Sequence, residues 1–262
     1  MGPAKAIPTF DLVSLRMHQD PQSPTAKPRI RVYLSLIFAS IVLTACPPKT
    51  PTQSQIVDSR IAALTASESI YKADALANNQ RAGQWLQYKS VDEYGEPTLL
   101  TYKLISSDGF NHSIEVVEED YHGSFASYIE LRYDPGRDVE NLEVKRALTR
   151  HGEGAPKESS SEDLAVKKSY YRALASQLFT PWNQGVLDED IVVGAGQFQG
   201  CLKLEMALTI VGLSFRADTW HHPFLPLNGM VRAERTDGTE GTIELVDFGL
   251  DGAHSLVLDA VR

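Results

Sequence analysis

Cysteine is nearly absent from this chain: 262 residues carry two, Cys46 and Cys201. A disulfide-dense scaffold is excluded. A basic excess is missing as well. The formal charge is −9, which argues against nucleic-acid binding driven by phosphate neutralisation. There is no Gly-x-Ser-x-Gly, no His-Glu-x-x-His and no paired Cys-x-x-Cys, so the common signatures of hydrolytic, zinc and redox chemistry are lacking. Long apolar runs are also missing. The one marked apolar stretch is the fourteen uncharged residues Val32–Ala45, VYLSLIFASIVLTA. As a helix it would span roughly 21 Å, short of a ~30 Å hydrocarbon core, so a transmembrane anchor is the weaker reading. The remaining composition, 42% hydrophobic and 23% charged, is that of an ordinary globular protein.

That apolar stretch stands in a telling context. Residues 1–31 are polar, proline-rich and net basic, ending in Arg29-Ile30-Arg31. Small residues and then Cys46 follow the apolar run. A basic region, a short apolar core and a small-residue cut site make a secretory signal. The ending Leu43-Thr44-Ala45-Cys46 resembles the lipobox of bacterial lipoproteins. The resemblance implies a diacylglyceryl group on the Cys46 sulfur, cleavage before Cys46, and an acyl chain, typically palmitate, on the new amino group. Residues 1–45 are then the leader, and Met17 is an alternative start that leaves a conventional basic region. Two or three acyl chains suffice for stable anchoring, whereas one binds reversibly. Pro47 stands where an aspartate would retain an enteric lipoprotein in the inner membrane, so the resemblance points to the outer membrane.

Residues 46–54, rich in Pro, Thr, Gln and Ser, read as a flexible tether. The leader holds five basic and two acidic residues, which leaves 20 basic and 32 acidic in the mature chain, a net of −12. Such a body is repelled by anionic headgroups and is expected to stand off the membrane.

From Gln84 the pattern becomes short alternating runs between turn signals. Leu100, Tyr102 and Leu104 alternate with polar residues; Ile114 and Val116 follow, then Phe125 to Tyr133, then Leu142 to Leu148. This is an antiparallel meander. A polar loop over residues 149–162 precedes a helix over Asp163–Phe179, whose stripe is Leu164, Tyr171, Leu174 and Leu178. Ser161 or Asp163 can cap it, and Pro181 ends it. After a loop over residues 185–196, strands resume: Leu202 to Ile210, Leu213 to Trp220, Met230 to Arg235 and Thr242 to Phe248. The expected fold is α+β. It is a single β-rich periplasmic domain over 55–262, with about nine strands in a bent antiparallel sheet or half-barrel and one or two helices on its concave face.

The order of lipobox, tether, meander, helix and second meander resembles the LolA/LolB/LppX-type half-barrels of envelope lipoproteins and lipid carriers. The runs Gly196 to Lys203, Pro226 to Arg232 and Leu245 to Gly249 are similar to segments of bacterial envelope proteins. The resemblance implies an apolar cavity under the sheet. The aromatic set that could line it includes Trp85, Tyr88, Tyr102, Phe125, Tyr128, Tyr133, Tyr171, Phe198, Phe215 and Trp220. From these and the helix, Trp85, Tyr102, Phe125, Leu174 and Phe215 are the candidate ligand-binding residues; structural core is the competing role for all of them.

Other constellations are weaker. His221 and His222 are adjacent on a strand and point to opposite faces, which disfavours chelation of one metal. Cys201, by alternation, shares a face with Lys203 and Glu205, yet a small core residue is its default role. Asp247, Asp251 and His254 read as turn formers around Gly249 and Gly252. We therefore expect no catalytic residue, no metal, no cofactor and no nucleic-acid partner. Two functions stay open: a lipid-anchored module binding a lipid or other apolar ligand, or a rigid component of an envelope, secretion or surface assembly without a ligand.

Overall fold

A computed structural model describes residues 51–64, 66–72, 80–91, 95–134, 142–179, 186–210, 213–238 and 241–261. The leader and the lipobox with Cys46 lie outside the described residues.

Three helices and twelve strands follow in chain order. Helix α1 spans Pro51–Ala63, so residues 51–54, expected in the tether, already lie in its first turn. Strand β1 is Ile70–Lys72, β2 Trp85–Val91, β3 Pro97–Asp108, β4 Asn111–Asp120, β5 Gly123–Arg132, β6 Glu143–His151 and β7 Lys157–Glu158. Helix α2 is Ser161–Phe179; then come β8 Val186–Val193, β9 Gly196–Ile210, β10 Leu213–His221, β11 Met230–Arg235, β12 Thr242–Gly249 and α3 Leu256–Asp259.

One open sheet runs in the order β1-β9-β10-β11-β12-β2-β3-β4-β5-β6-β7, with β8 also paired to β9. It consists of two antiparallel meanders, β2 to β7 and β9 to β12, joined where β12 pairs with β2. The only parallel pair among the described strands is β1 on β9. The nine expected strands therefore become twelve. The three extra ones are β1, β7 and β8, and β8 occupies the stretch expected to be the loop after α2.

Alternation gives the sheet two different faces. The inner face carries the main core: Leu86 and Tyr88 of β2, Tyr102 and Leu104 of β3, Ile114 and Val116 of β4, Ile129 and Leu131 of β5, with Ile243 and Leu245 of β12. Helix α2 buries Tyr171, Leu174, Ala175, Leu178 and Phe179 in this core. Its start is a reciprocal cap. The Asp163 amide donates to Ser160 Oγ at 3.1 Å, and Ser160 Oγ donates to Asp163 Oδ2 at 2.8 Å. The cap is thus Ser160, one residue before the two expected candidates, with Asp163 reaching back.

The outer face carries the other two helices, which corrects the expectation of helices on the concave side alone. Val257 and Leu258 of α3 pack with Val117, Ala126, Tyr128 and Leu148. Glu115, fully buried, fastens this helix. Its carboxylate accepts from Ser255 Oγ at 2.5 Å, from the amides of Leu256 and Val257 at 3.0 Å each, and from Lys103 Nζ at 2.9 Å. These donors hold its pKa below the ordinary value although burial opposes them. Helix α1 lies against β3 and β4, and Arg60 pairs with Glu119, which shares the alternation of Glu115 and Val117.

The β1–β9 junction depends on close approach. A Cβ on Gly196, whose φ is +135°, would come within 2.7 Å of the Ser69 carbonyl and 2.9 Å of Tyr71. Tyr71 stacks on Phe198 at 4.7 Å and on Phe224 at 4.8 Å, which seats the short strand against the core.

Candidate functional site

The expected ligand residues separate by face. Tyr102 points into the inner core and pairs across β4 with Val116. Phe125 is on the same face, directly opposite Glu118, half-buried and 4.7 Å from the His151 ring. Leu174 enters the same core from α2. Trp85 does not join them. It precedes the inward Leu86, pairs with Lys103 on the outer side, and lies over Gly249, where a Cβ would sit 2.1 Å from its indole nitrogen. Trp85 thus covers a glycine on the face opposite the other candidates. Phe215 stands in β10 opposite Leu208, and its side chain lies outside the described residues.

Around Tyr102 the inner face becomes polar. Tyr88 is fully buried; its hydroxyl donates to the Met230 carbonyl at 3.0 Å and its ring meets Tyr102 edge-on at 5.9 Å. Tyr102 is 9% exposed. Glu118 is half-buried, with Leu100 and Phe125 as cross-strand neighbours. Among the described residues its carboxylate receives no hydrogen bond and no cation. Burial, then the nearby Asp120 charge, pushes its pKa up to about 7. Tyr170 of α2 packs, partly buried, against the same core. Burial, then the Glu118 charge, raises the Tyr102 pKa.

Glu118, Tyr88 and Tyr170 are absent from the five-residue expectation. The signal for Glu118 was available: it continues the alternation of Ile114 and Val116, and so stands as a carboxylate on an apolar stripe. Tyr170 carried no comparable signal, because Tyr171 beside it fits the helical stripe better.

The other constellations are structural. His221 Nδ1 bonds the Asn228 carbonyl at 2.8 Å and Nε2 bonds Thr219 Oγ1 at 3.0 Å. His222 Nε2 bonds the Gln199 carbonyl at 3.1 Å, while Nδ1 accepts from the Phe224 amide at 3.3 Å. Together they pin the loop over residues 222–229. Burial pushes the His221 pKa down to about 4 and lowers that of His222. Cys201 is fully buried in the main core, the small core residue expected by default; Trp220, the cross-strand partner of Lys203, lies in the same core. Burial pushes its thiol up to about 12, which removes it as a nucleophile near neutral pH. Asp247 Oδ1 accepts from the Phe248 amide at 2.8 Å, consistent with a turn role.

No protein-family profile matches the chain, and no curated protein matches it. Two solved structures share some of its arrangement. One is a candidate lipoprotein of Parabacteroides distasonis, 12% identical, covering 67% of this chain and 99% of its own, at a TM-score of 0.31. The other is a candidate exported protein with a YmcC-like fold from Bacteroides fragilis, 13% identical over the same shares, at 0.30. At these scores the likeness transfers neither fold nor function. Neither is described as a LolA-, LolB- or LppX-type carrier.

Proposed function

We propose that this chain is a bacterial envelope lipoprotein, anchored in the outer membrane through acyl chains on Cys46, without enzymatic activity. Its inner sheet face holds a lipid or other apolar ligand beside α2. The observation that carries the anchoring is Leu43-Thr44-Ala45-Cys46 closing the apolar run behind a basic region. An open sheet with one helix on its main core face, together with the resemblance to half-barrel carriers, supports the binding role. Substituting Cys46→Ala will abolish palmitate labelling and leave the leader uncleaved. A variant that still fractionates as an acylated membrane protein refutes the anchor.

The second reading, a ligand-free component of an envelope assembly, draws on one observation. The α2 stripe is already fully occupied, with Tyr171, Leu178 and Phe179 at 2% exposure or less. Native mass spectrometry of the mature chain separates the two. Copurified lipid supports the binding module, and a bare protein from every preparation supports the assembly component.

A further inference from the structure

An open sheet leaves edges, and a bare edge is a template for another strand. Most of the described edges are short or charged. Strand β1 has three residues and β7 two, Lys157 and Glu158, both exposed. Strand β8 carries exposed Glu189 and Asp190. The part of β6 beyond β7, residues 143–146, reads EVKR. The C-terminal half of β9 is different. Its pairing with β8 ends at Lys203, opposite Val186, whereas its pairing with β10 continues without a bulge to Ile210, opposite Leu213. Residues 204–210 therefore run on with one neighbour among the described strands. They read LEMALTI, with no lysine, no proline and one charge, Glu205.

The ladder decides which backbone groups are bare. Successive residues of an antiparallel strand aim their amide and carbonyl at alternate neighbours. The Arg216 carbonyl accepts from the Thr236 amide at 2.8 Å, away from β9, so Arg216 and its cross-strand partner Ala207 turn their backbone groups away from each other. Glu205 and Thr209, two residues to either side of Ala207, turn the same way. Three amides and three carbonyls thus line an edge that no described strand covers. We infer that this edge pairs with the same edge of a second copy of the chain, antiparallel and centred on Ala207. The stretch is self-complementary about that residue. Ala207 is its midpoint and faces outward, so the two-fold register that uses the whole edge sets Ala207 opposite Ala207 and Glu205 opposite Thr209, twice. No like charges meet. Alternation places Leu204, Met206, Leu208 and Ile210 of both copies on one face, which joins two apolar stripes into one. Anchoring in one bilayer concentrates the copies in a plane and favours a contact of this modest length. The inference goes beyond both readings of the function, since neither a ligand nor its absence enters it.

Cysteine cross-linking of the purified mature chain in mild detergent tests the register. Cys201 is fully buried, and wild type serves as the blank. With Ala207→Cys the facing Cα atoms lie about 5.5 Å apart, within disulfide reach. With Glu205→Cys or Thr209→Cys alone they lie about 14 Å apart, out of reach. Mild oxidation should therefore give disulfide dimer about tenfold faster for Ala207→Cys than for either other variant, and mixing the Glu205→Cys and Thr209→Cys chains should restore it. Native mass spectrometry should show wild type as a dimer. Ala207→Pro removes an outward amide and spares the β10 ladder, so it should keep the circular dichroism of wild type and run as a monomer. A monomeric wild type overturns the inference. So does a dimer in which Ala207→Cys cross-links no faster than Glu205→Cys, or one that survives Ala207→Pro, because each places the contact elsewhere. A monomer cross-linked through Ala207→Cys to a different protein assigns the edge to a foreign strand and overturns the second copy. If the proline variant does not fold, the cross-linking comparison decides alone.

Discussion

At the residue scale, single side chains on opposite faces of one strand do unlike work. Trp85 and Leu86 are neighbours, yet one covers Gly249 and the other fills the main core. Gly249→Ala would force the indole aside, because a Cβ there sits 2.1 Å from Trp85 Nε1. We expect a loss of about 1–3 kcal/mol in urea unfolding, as for other overpacked sites. Combining Gly249→Ala with Trp85→Ala should recover part of it, and full additivity would show that the indole is not the obstacle. Alternation made Tyr102 legible, because clear apolar partners flank it on both sides in β3. Trp85, taken only as one of the aromatic set, stands at the first position of β2 with nothing before it to fix its phase.

At the element scale, α2 was legible nearly to its ends, because a 3.6-residue stripe over nineteen residues leaves little ambiguity. So were β11 and β12, which sit between strong turn signals. Strands β1, β7 and β8 were not. The first two have three and two residues, too few to show a period, and β8 reads VLDEDIVV, without alternation. The same scale decides whether α2 is fixed. Leu174 is buried with the rest of the stripe, so Leu174→Ala should lower stability by roughly 2–5 kcal/mol if the helix is a permanent part of the core. A much smaller loss, with faster release of bound ligand, would instead identify a lid. Guanidinium titration of wild type and variant, with and without copurified lipid, reads both.

At the scale of the whole molecule, buried His221 and half-buried Glu118 set opposing acid responses. His221 has its pKa pushed from 6.5 down to about 4. The unfolded chain therefore binds the extra proton between those values, and stability rises with pH through that window. Glu118 has its pKa pushed from 4.5 up to about 7. There the folded chain holds the proton, and stability falls as pH rises. The two slopes, each up to about 1.4 kcal/mol per pH unit, oppose each other between about pH 4.5 and 6.5. His222 and His112, also held below the ordinary value by burial, add to the histidine slope, so wild type should lose stability as the pH falls through this window, less steeply than it would without Glu118. Glu118→Gln should unmask the histidine slope. A profile as shallow as wild type in that variant would refute the compensation.

The overall plan was legible as two runs of strands around a helix, but not the seam between them. No local pattern in β2 names β12 as its neighbour, because their residues are separated by almost the whole body. That seam has a kinetic consequence. The first meander emerges with the β2 side of its sheet bare, and the strand that covers it is the last to be made. Until β12 arrives, β2 offers unpaired amides and carbonyls to any passing strand. Folding is therefore delayed by distant contacts rather than by local ones. A chain cut after Arg235 would leave β2 and β11 without their shared partner, and should aggregate instead of folding as a smaller sheet.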